Sequence, residues 1–368
     1  MKFRKIRQIA FTLHRYIGLI VGLLLIIVGL TGSLLVFQSE IDHFLVQRQF
    51  GKVIAQEERV SIESVINTVK ETYSDRPELK LASIVTSDNP TYKVRLVDSE
   101  KQTEVFVNSY TGAIIGDRVW ENTYIGIIFQ LHYALLAGTP GQVIVGIVAF
   151  LLLILCLTGI FLWSGWRKLI SGFKIKWNAH LKRVSFDIHK VAGIITAVFL
   201  GLIAFTGLCW NFYDYAKPAI YAITFTPHPP EPVSQAIPGK SPLGIAEILK
   251  IADTALPGAE TTYINLPTEP NGTFSVYKKR PQELNEYGES VVYLDQYSGK
   301  VLQLLDGRNL PLAQRVLNSF TPLHYGTFWG LPSRIFYIFV GLAPVILSIT
   351  GFIMWLGSKQ AKNLGLRN

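Results

Sequence analysis

The sequence predicts a membrane protein: an all-α bundle of four transmembrane helices with two α+β domains on its outer side, built by an internal parallel duplication. Three observations predict it. Only 17% of the 368 residues are charged and 49% are hydrophobic, where a soluble domain carries about 25% charged residues; mean hydropathy is +0.31. Four uncharged apolar runs, 16–37, 142–163, 191–210 and 335–356, reach the roughly 20 residues a bilayer crossing needs. Finally, motifs in the first half return in the second at constant offsets.

The net charge of +9 is a topology signal. Fifteen cations, from Lys2 and Arg15 through Lys174 and Lys190 to Lys359 and Arg367, crowd into 1–15, 164–190 and 357–368, against Asp187 alone. These stretches precede the first span, join the second to the third and follow the fourth. The positive-inside rule then puts both termini and the 164–190 loop in the cytoplasm. A lipid bilayer is the expected partner, and no nucleic acid. The first span is too long for a signal-peptide core and reads as an uncleaved anchor. The expected order is 1–37, cytoplasmic start and first span; 38–131, outer domain; 132–163, outer histidine segment and second span; and 164–190, basic loop. It continues with 191–210, third span; 211–323, linker and second outer domain; 324–356, outer histidine segment and fourth span; and 357–368, cytoplasmic tail.

Each outer domain reads as a helix followed by strands. Ile62, Val65, Ile66 and Val69 form a helical stripe, and alternation marks strands at 81–86, 92–97 and 104–108. In the second domain Ile248, Leu249 and Ala252 mark the helix, with strands near 261–266, 273–278 and 290–295. The proline-rich 217–240 reads as an extended linker.

The repeat singles out four of the seven histidines. His14, Gly18, Thr31 and Gly32 match His189, Gly193, Thr206 and Gly207 at an offset of 175. His132, Tyr133, Thr158, Gly159 and Trp163 match His324, Tyr325, Thr350, Gly351 and Trp355 at an offset of 192. A pseudo-two-fold along the membrane normal places paired histidines at equal depth. Two neutral imidazoles facing each other are what the iron of a noncovalent b-type haem needs, and Gly18 and Gly193, one turn on, leave room for a porphyrin. Thr31-Gly32 and Thr206-Gly207 fall near the His132/His324 level. Thr158-Gly159 and Thr350-Gly351 fall near the His14/His189 level. The competing reading is of interfacial histidines with small residues that mediate helix packing. His43, His180 and His228 have no match and read as ordinary solvated or interfacial histidines.

Other chemistry lacks its residues. Cys156 and Cys209 lie in apolar runs, and no C-x-x-C-H provides covalent haem attachment. Hydrolase, P-loop and dinucleotide motifs do not occur, and uncharged spans give a proton-coupled permease no relay.

The runs L-H-R-x-x-G-L with a later T-G-S, and L-H-Y with a later T-G-I-F-L-W, resemble the PepSY-associated transmembrane family. Tyr110-Thr-Gly and Tyr297-Ser-Gly, each after a strand, resemble PepSY domains, so the outer domains are expected to be PepSY-like. The resemblance covers nearly the whole chain. It implies a bacterial inner-membrane protein of iron uptake with periplasmic soluble domains and cytoplasmic termini. By motif position it implies two haem b groups whose iron is held by His14, His189, His132 and His324. Some members are ferric-siderophore reductases, which implies a ferric siderophore or other Fe(III) chelate as substrate. From the residues themselves, short cytoplasmic loops without a nucleotide motif make a quinol or a separate reductase the expected donor, and the aromatic surroundings of His132 and His324 make Tyr133, Tyr325 and Trp329 the expected electron exit. The alternative is a haem-free, membrane-anchored PepSY module that restrains a peptidase or senses a ligand.

Overall fold

A computed structural model describes residues 2–87, 90–98 and 101–363. The tail residues 364–368, Arg367 among them, lie outside the described residues. In chain order the elements are α1 (Lys2–Leu35), α2 (Gln38–Phe50), α3 (Ile62–Thr72), β1 (Lys80–Val85), β2 (Thr91–Val97), β3 (Gln102–Asn108) and β4 (Ile114–Val119). Next come α4 (Tyr124–Ala134), α5 (Gly138–Leu162), α6 (Leu169–Phe173), α7 (Leu181–Asn211), α8 (Tyr213–Ile223) and α9 (Ile245–Ala255). The chain finishes with β5 (Glu260–Asn265), β6 (Thr273–Lys279), β7 (Ser290–Asp295), β8 (Val301–Leu305), α10 (Leu312–Tyr325) and α11 (Leu331–Asn363).

The four apolar runs become α1, α5, α7 and α11, each long and apolar enough to cross a membrane. A backbone without charged interruptions satisfies its own hydrogen bonds only as a helix in such a setting. The helices form a ring: α1 packs on α5 and α11, and α7 packs on the same two. Thus α1 and α7 face each other across the bundle. Small and polar side chains tie the ring together. Ser33 donates to the Ile338 carbonyl at 3.1 Å and Ser348 to that of Gly22 at 3.2 Å, while Gln142 and Asn211 exchange amide bonds between α5 and α7. Arginines satisfy carbonyls where two helices run out. Arg7 donates to Leu162 O at 3.0 Å, and Arg334 to Val36 O at 2.7 Å.

The histidine segments are helices, α4 and α10, and a bend separates each from the span that follows. In the first half Leu135, Leu136 and Gly138 take positive φ, and in the second Gly326 and Gly330 do. Gly138 and Gly330 are matched by the repeat, and both supply the left-handed backbone that separates two helices.

A second compact unit, Ser39–Gly126 with Ile220–Ser319, corrects the expectation of two separate outer domains. Among the described residues eight strands form one antiparallel sheet in the order β4-β3-β2-β1-β5-β6-β7-β8. The two halves join at β1 and β5, where Ile84 pairs with Ile264. Alternation buries Tyr92, Val94 and Leu96 of β2 on one face. There they share a single core with Val65 and Val69 of α3, Ile248 of α9 and Ile264, Val276 and Val292. Asn108 and Asp295 build equivalent turns by accepting from backbone N–H groups two and three residues on. The linker expected at 217–240 begins as helix, because α8 runs to Ile223 through Pro218; 224–244 is non-helical.

Candidate functional site: two histidine pairs in the bundle

The structure brings the four repeat-matched histidines together in two pairs. The rings of His14 on α1 and His189 on α7 are 6.0 Å apart between centres, with planes at 79°. Those of His132 on α4 and His324 on α10 are 6.2 Å apart at 77°. Each pair therefore takes one residue from each half of the chain.

One local device holds all four rings. His14 Nδ1 lies 2.9 Å from Thr158 Oγ1, and His189 Nδ1 lies 3.0 Å from Thr350 Oγ1. His132 Nδ1 is 3.1 Å from Thr31 Oγ1, and His324 Nδ1 is 2.7 Å from Thr206 Oγ1. Every one of these hydroxyls sits within reach of the carbonyl four residues back in its own helix, at 2.6–2.9 Å. A hydroxyl has one proton; once that is donated to the carbonyl, its oxygen accepts. Nδ1 must then carry the imidazole proton. His132 reaches the same assignment independently, since Nδ1 is also 3.0 Å from Val28 O, which can only accept. The tautomer so assigned leaves Nε2 unprotonated at all four positions, and no hydrogen bond to Nε2 forms among the described residues. Burial holds His132 and His324 well below the ordinary histidine range, so both stay neutral, as a metal ligand must.

The glycine of each Thr-Gly step lies under the same ring. A Cβ on Gly32 would stand 2.9 Å from His132 Cε1; the corresponding separations are 3.2 Å for Gly159 and His14, 3.3 Å for Gly207 and His324, and 3.6 Å for Gly351 and His189. Gly18 and Gly193 are less constrained. They face Leu155 and Leu347 at 3.8 and 3.7 Å, ordinary contact distances.

These residues fit a bis-imidazole haem iron. With about 2 Å per metal–nitrogen bond and roughly 1 Å from nitrogen to ring centre, axial imidazoles on one iron have centres about 6 Å apart. Among the described residues no cluster of three or more His, Cys, Asp or Glu forms a metal site.

Trp210, at the end of α7, is a neighbour of this site that the repeat does not single out. Its ring lies 4.8 Å from that of His324 and 5.9 Å from that of Tyr325. Its position one turn beyond Gly207 was the available signal. Of the expected exit residues, Tyr325 also lies 5.9 Å from His324. Tyr133 packs on Phe129, and Trp329, 80% exposed, packs on Phe328. The unmatched histidines lie elsewhere: His43 bonds Gln47, His228 packs on Tyr221 and His180 precedes α7.

Two comparisons bear on this geometry. The profile described as the PepSY-associated TM region matches residues 11–358. An uncharacterized protein of Pseudomonas aeruginosa is 24% identical over 257 residues, covering 62% of this chain and 62% of that protein. The match thus spans less than two thirds of that relative's length.

Proposed function

The chain belongs to the PepSY-associated transmembrane family, and from that premise we propose that it is a di-haem b-type electron-transfer protein of the bacterial inner membrane. It reduces ferric siderophores or other Fe(III) chelates on the periplasmic side and so releases Fe(II). The observation that carries this reading is the fourfold His–Thr–carbonyl relay, which fixes one tautomer and presents Nε2 in two cross-bundle pairs.

A haem held between each pair would supply one-electron redox chemistry, which suits electron transfer. His14 and His189 would hold one group, and His132 and His324 the other. The threonines orient the rings and, by accepting the Nδ1 proton, raise the basicity of Nε2. Arg15, next to His14 with its Nε buried and unpaired, is a cation available to a carboxylate at that level. The constant offsets support a parallel duplication, and the basic stretches support a cytoplasmic placement of the helix ends around His14 and His189. On the opposite side, Trp210 and Tyr325 pack against His324 and limit water there. The substrate chemistry is consistent: siderophores hold Fe(III) through hard oxygen donors, and reduction to Fe(II) weakens that hold.

The test is reoxidation of the dithionite-reduced protein by a ferric hydroxamate, with Fe(II) trapped by a chromogenic chelator. We expect haem reoxidation to match Fe(II) release. Reduced haem that passes electrons to another acceptor, but to none of the ferric chelates tried, would overturn the reductase assignment.

A further inference from the structure

Among the described residues of the bundle, three buried side-chain polar atoms have no hydrogen-bond partner: Arg15 Nε, Trp163 Nε1 and Tyr337 Oη. Each carries a proton to donate, so what the bundle lacks is acceptors. Trp163 serves no ligand, because its ring is wedged against Gly165, Gly172 and Trp166 just past the end of α5. Arg15 adjoins His14. Tyr337 lies within the first two turns of α11 and is only 2% exposed. Its Cβ and Cγ press on Gly326, two residues after His324, where any side chain would overlap them. Its ring meets Phe328 and, on α7, Phe199 edge to face at 5.5 and 6.1 Å. The adjacent Ile338 carbonyl accepts from Ser33, two residues beyond the Thr31 that holds His132. Tyr337 thus sits at the level of the His132/His324 pair, close to the segment that carries one histidine and the helix that orients the other.

The repeat breaks at these donors. The offset of 192 sets Val145, buried and apolar, against Tyr337. The offset of 175 sets Lys190 against Arg15, but Lys190 Nζ is spent on Asp187 and on the Ser171 and Lys174 carbonyls, at 2.9–3.1 Å. Each histidine pair is left with one open donor, supplied by one half only. A haem meets that need. Its iron is alike toward both imidazoles, but its carboxylates sit on one edge and, when ionised, only accept.

We propose that the Tyr337 hydroxyl donates to a carboxylate of the haem held by His132 and His324, and so fixes which edge of that haem turns toward α11. The inference rests on the haem reading above and adds to it the residue that orients the ring about its iron. Water is a poor alternative partner, because a buried water needs two to four polar neighbours, and Phe199, Phe328 and Phe336 around the tyrosine ring offer none. The nearby cation Arg334 is engaged elsewhere, donating to Val36 O at 2.7 Å and lying over the Phe37 ring. In these apolar surroundings a hydrogen bond to a carboxylate is stronger than the same bond in water.

The test loads full-length protein in detergent, prepared free of haem, with haem or with haem dimethyl ester, in which both carboxylates are masked. Release to excess apomyoglobin is followed by absorbance, and His189→Ala, which keeps only the His132/His324 site, identifies the phase that belongs to it. We expect Tyr337→Phe, which keeps the ring and removes the hydroxyl, to speed haem release from that site about tenfold and to leave the other site unchanged. With the ester, Tyr337→Phe and wild type should release alike. Trp163→Phe, which removes the sealed donor, should change neither rate. The inference is overturned if Tyr337→Phe holds haem as wild type does, if it speeds release of the ester equally, or if Trp163→Phe speeds haem release as much. Wild-type protein that takes up no haem would sink the electron-transfer reading and this inference together. A haem-loaded protein whose release ignores Tyr337→Phe would sink the inference alone.

Discussion

At the scale of the residue, the chemistry turns on threonines whose protons are already committed. Because Thr31, Thr158, Thr206 and Thr350 each donate to a carbonyl of their own helix, each oxygen can only accept, and an ordinary helix-bending habit of threonine becomes the device that sets a histidine tautomer. The glycine beside it sets how close the ring may come, and the four distances differ enough to test this. Gly32→Ala puts a methyl 2.9 Å from His132 Cε1, so the ring must move, whereas Gly351→Ala meets His189 at 3.6 Å, an ordinary contact. We predict that Gly32→Ala lowers haem content by one group per chain and that Gly351→Ala leaves it unchanged, measured by pyridine haemochrome. Equal effects of the two would mean that the glycines act only in helix packing.

At the scale of the element, the sheet unit carries a buried charge cluster. Arg118 on β4 bonds Glu104 on β3 and Asp42 on α2, each at 2.7 Å, and Lys93 lies 3.4 Å from Glu104. Glu104 is 1% exposed. Burial alone would push its carboxyl up, but Lys93 and Arg118 outweigh this and hold it below its ordinary value. Its folded value is depressed, so its contribution to stability is complete above the unfolded carboxyl value and is lost as pH falls through the folded one. Glu104→Gln leaves Arg118 under-compensated and should destabilise the full-length protein by about 3 kcal/mol at pH 7. In thermal unfolding the gap to wild type should narrow on acidification; a gap that widens would contradict this account.

Elements with strong patterns were legible in the sequence. The four spans, α3, α9 and six of the strands follow from charge-free length or clean alternation. The edge strands β4 and β8 were missed, because Ile-Ile-Gly-Asp-Arg-Val and Val-Leu-Gln-Leu-Leu do not alternate. Helix α2 was missed because its polar sequence shows no apolar stripe, and α4 because Tyr-Ile-Gly-Ile-Ile-Phe is apolar on every side.

At the scale of the whole molecule, the pairing of the histidines was legible because constant offsets carry symmetry, and symmetry carries equal depth. The joining of β1 to β5 was not, because an edge pairing between strands roughly 180 residues apart leaves no periodicity to read. It turns two expected domains into one sheet with one core. Topology gives the next prediction. An alkaline phosphatase fusion, active only outside the cytoplasm, should work at Glu283 in the sheet unit and fail at Lys174 in the basic loop; the reverse pattern would turn the proposed electron path inward.

On the proposed reading each haem takes one histidine from each half of the chain. Reduced-minus-oxidised spectra and haem content of the purified wild type, His14→Ala, His189→Ala and His132→Ala test it most directly. Two b-type haems per wild-type chain are expected. His14→Ala and His189→Ala should lose the same haem, and His132→Ala should lose the other. A featureless wild-type spectrum, or loss of one and the same haem in His14→Ala and His132→Ala, would contradict it.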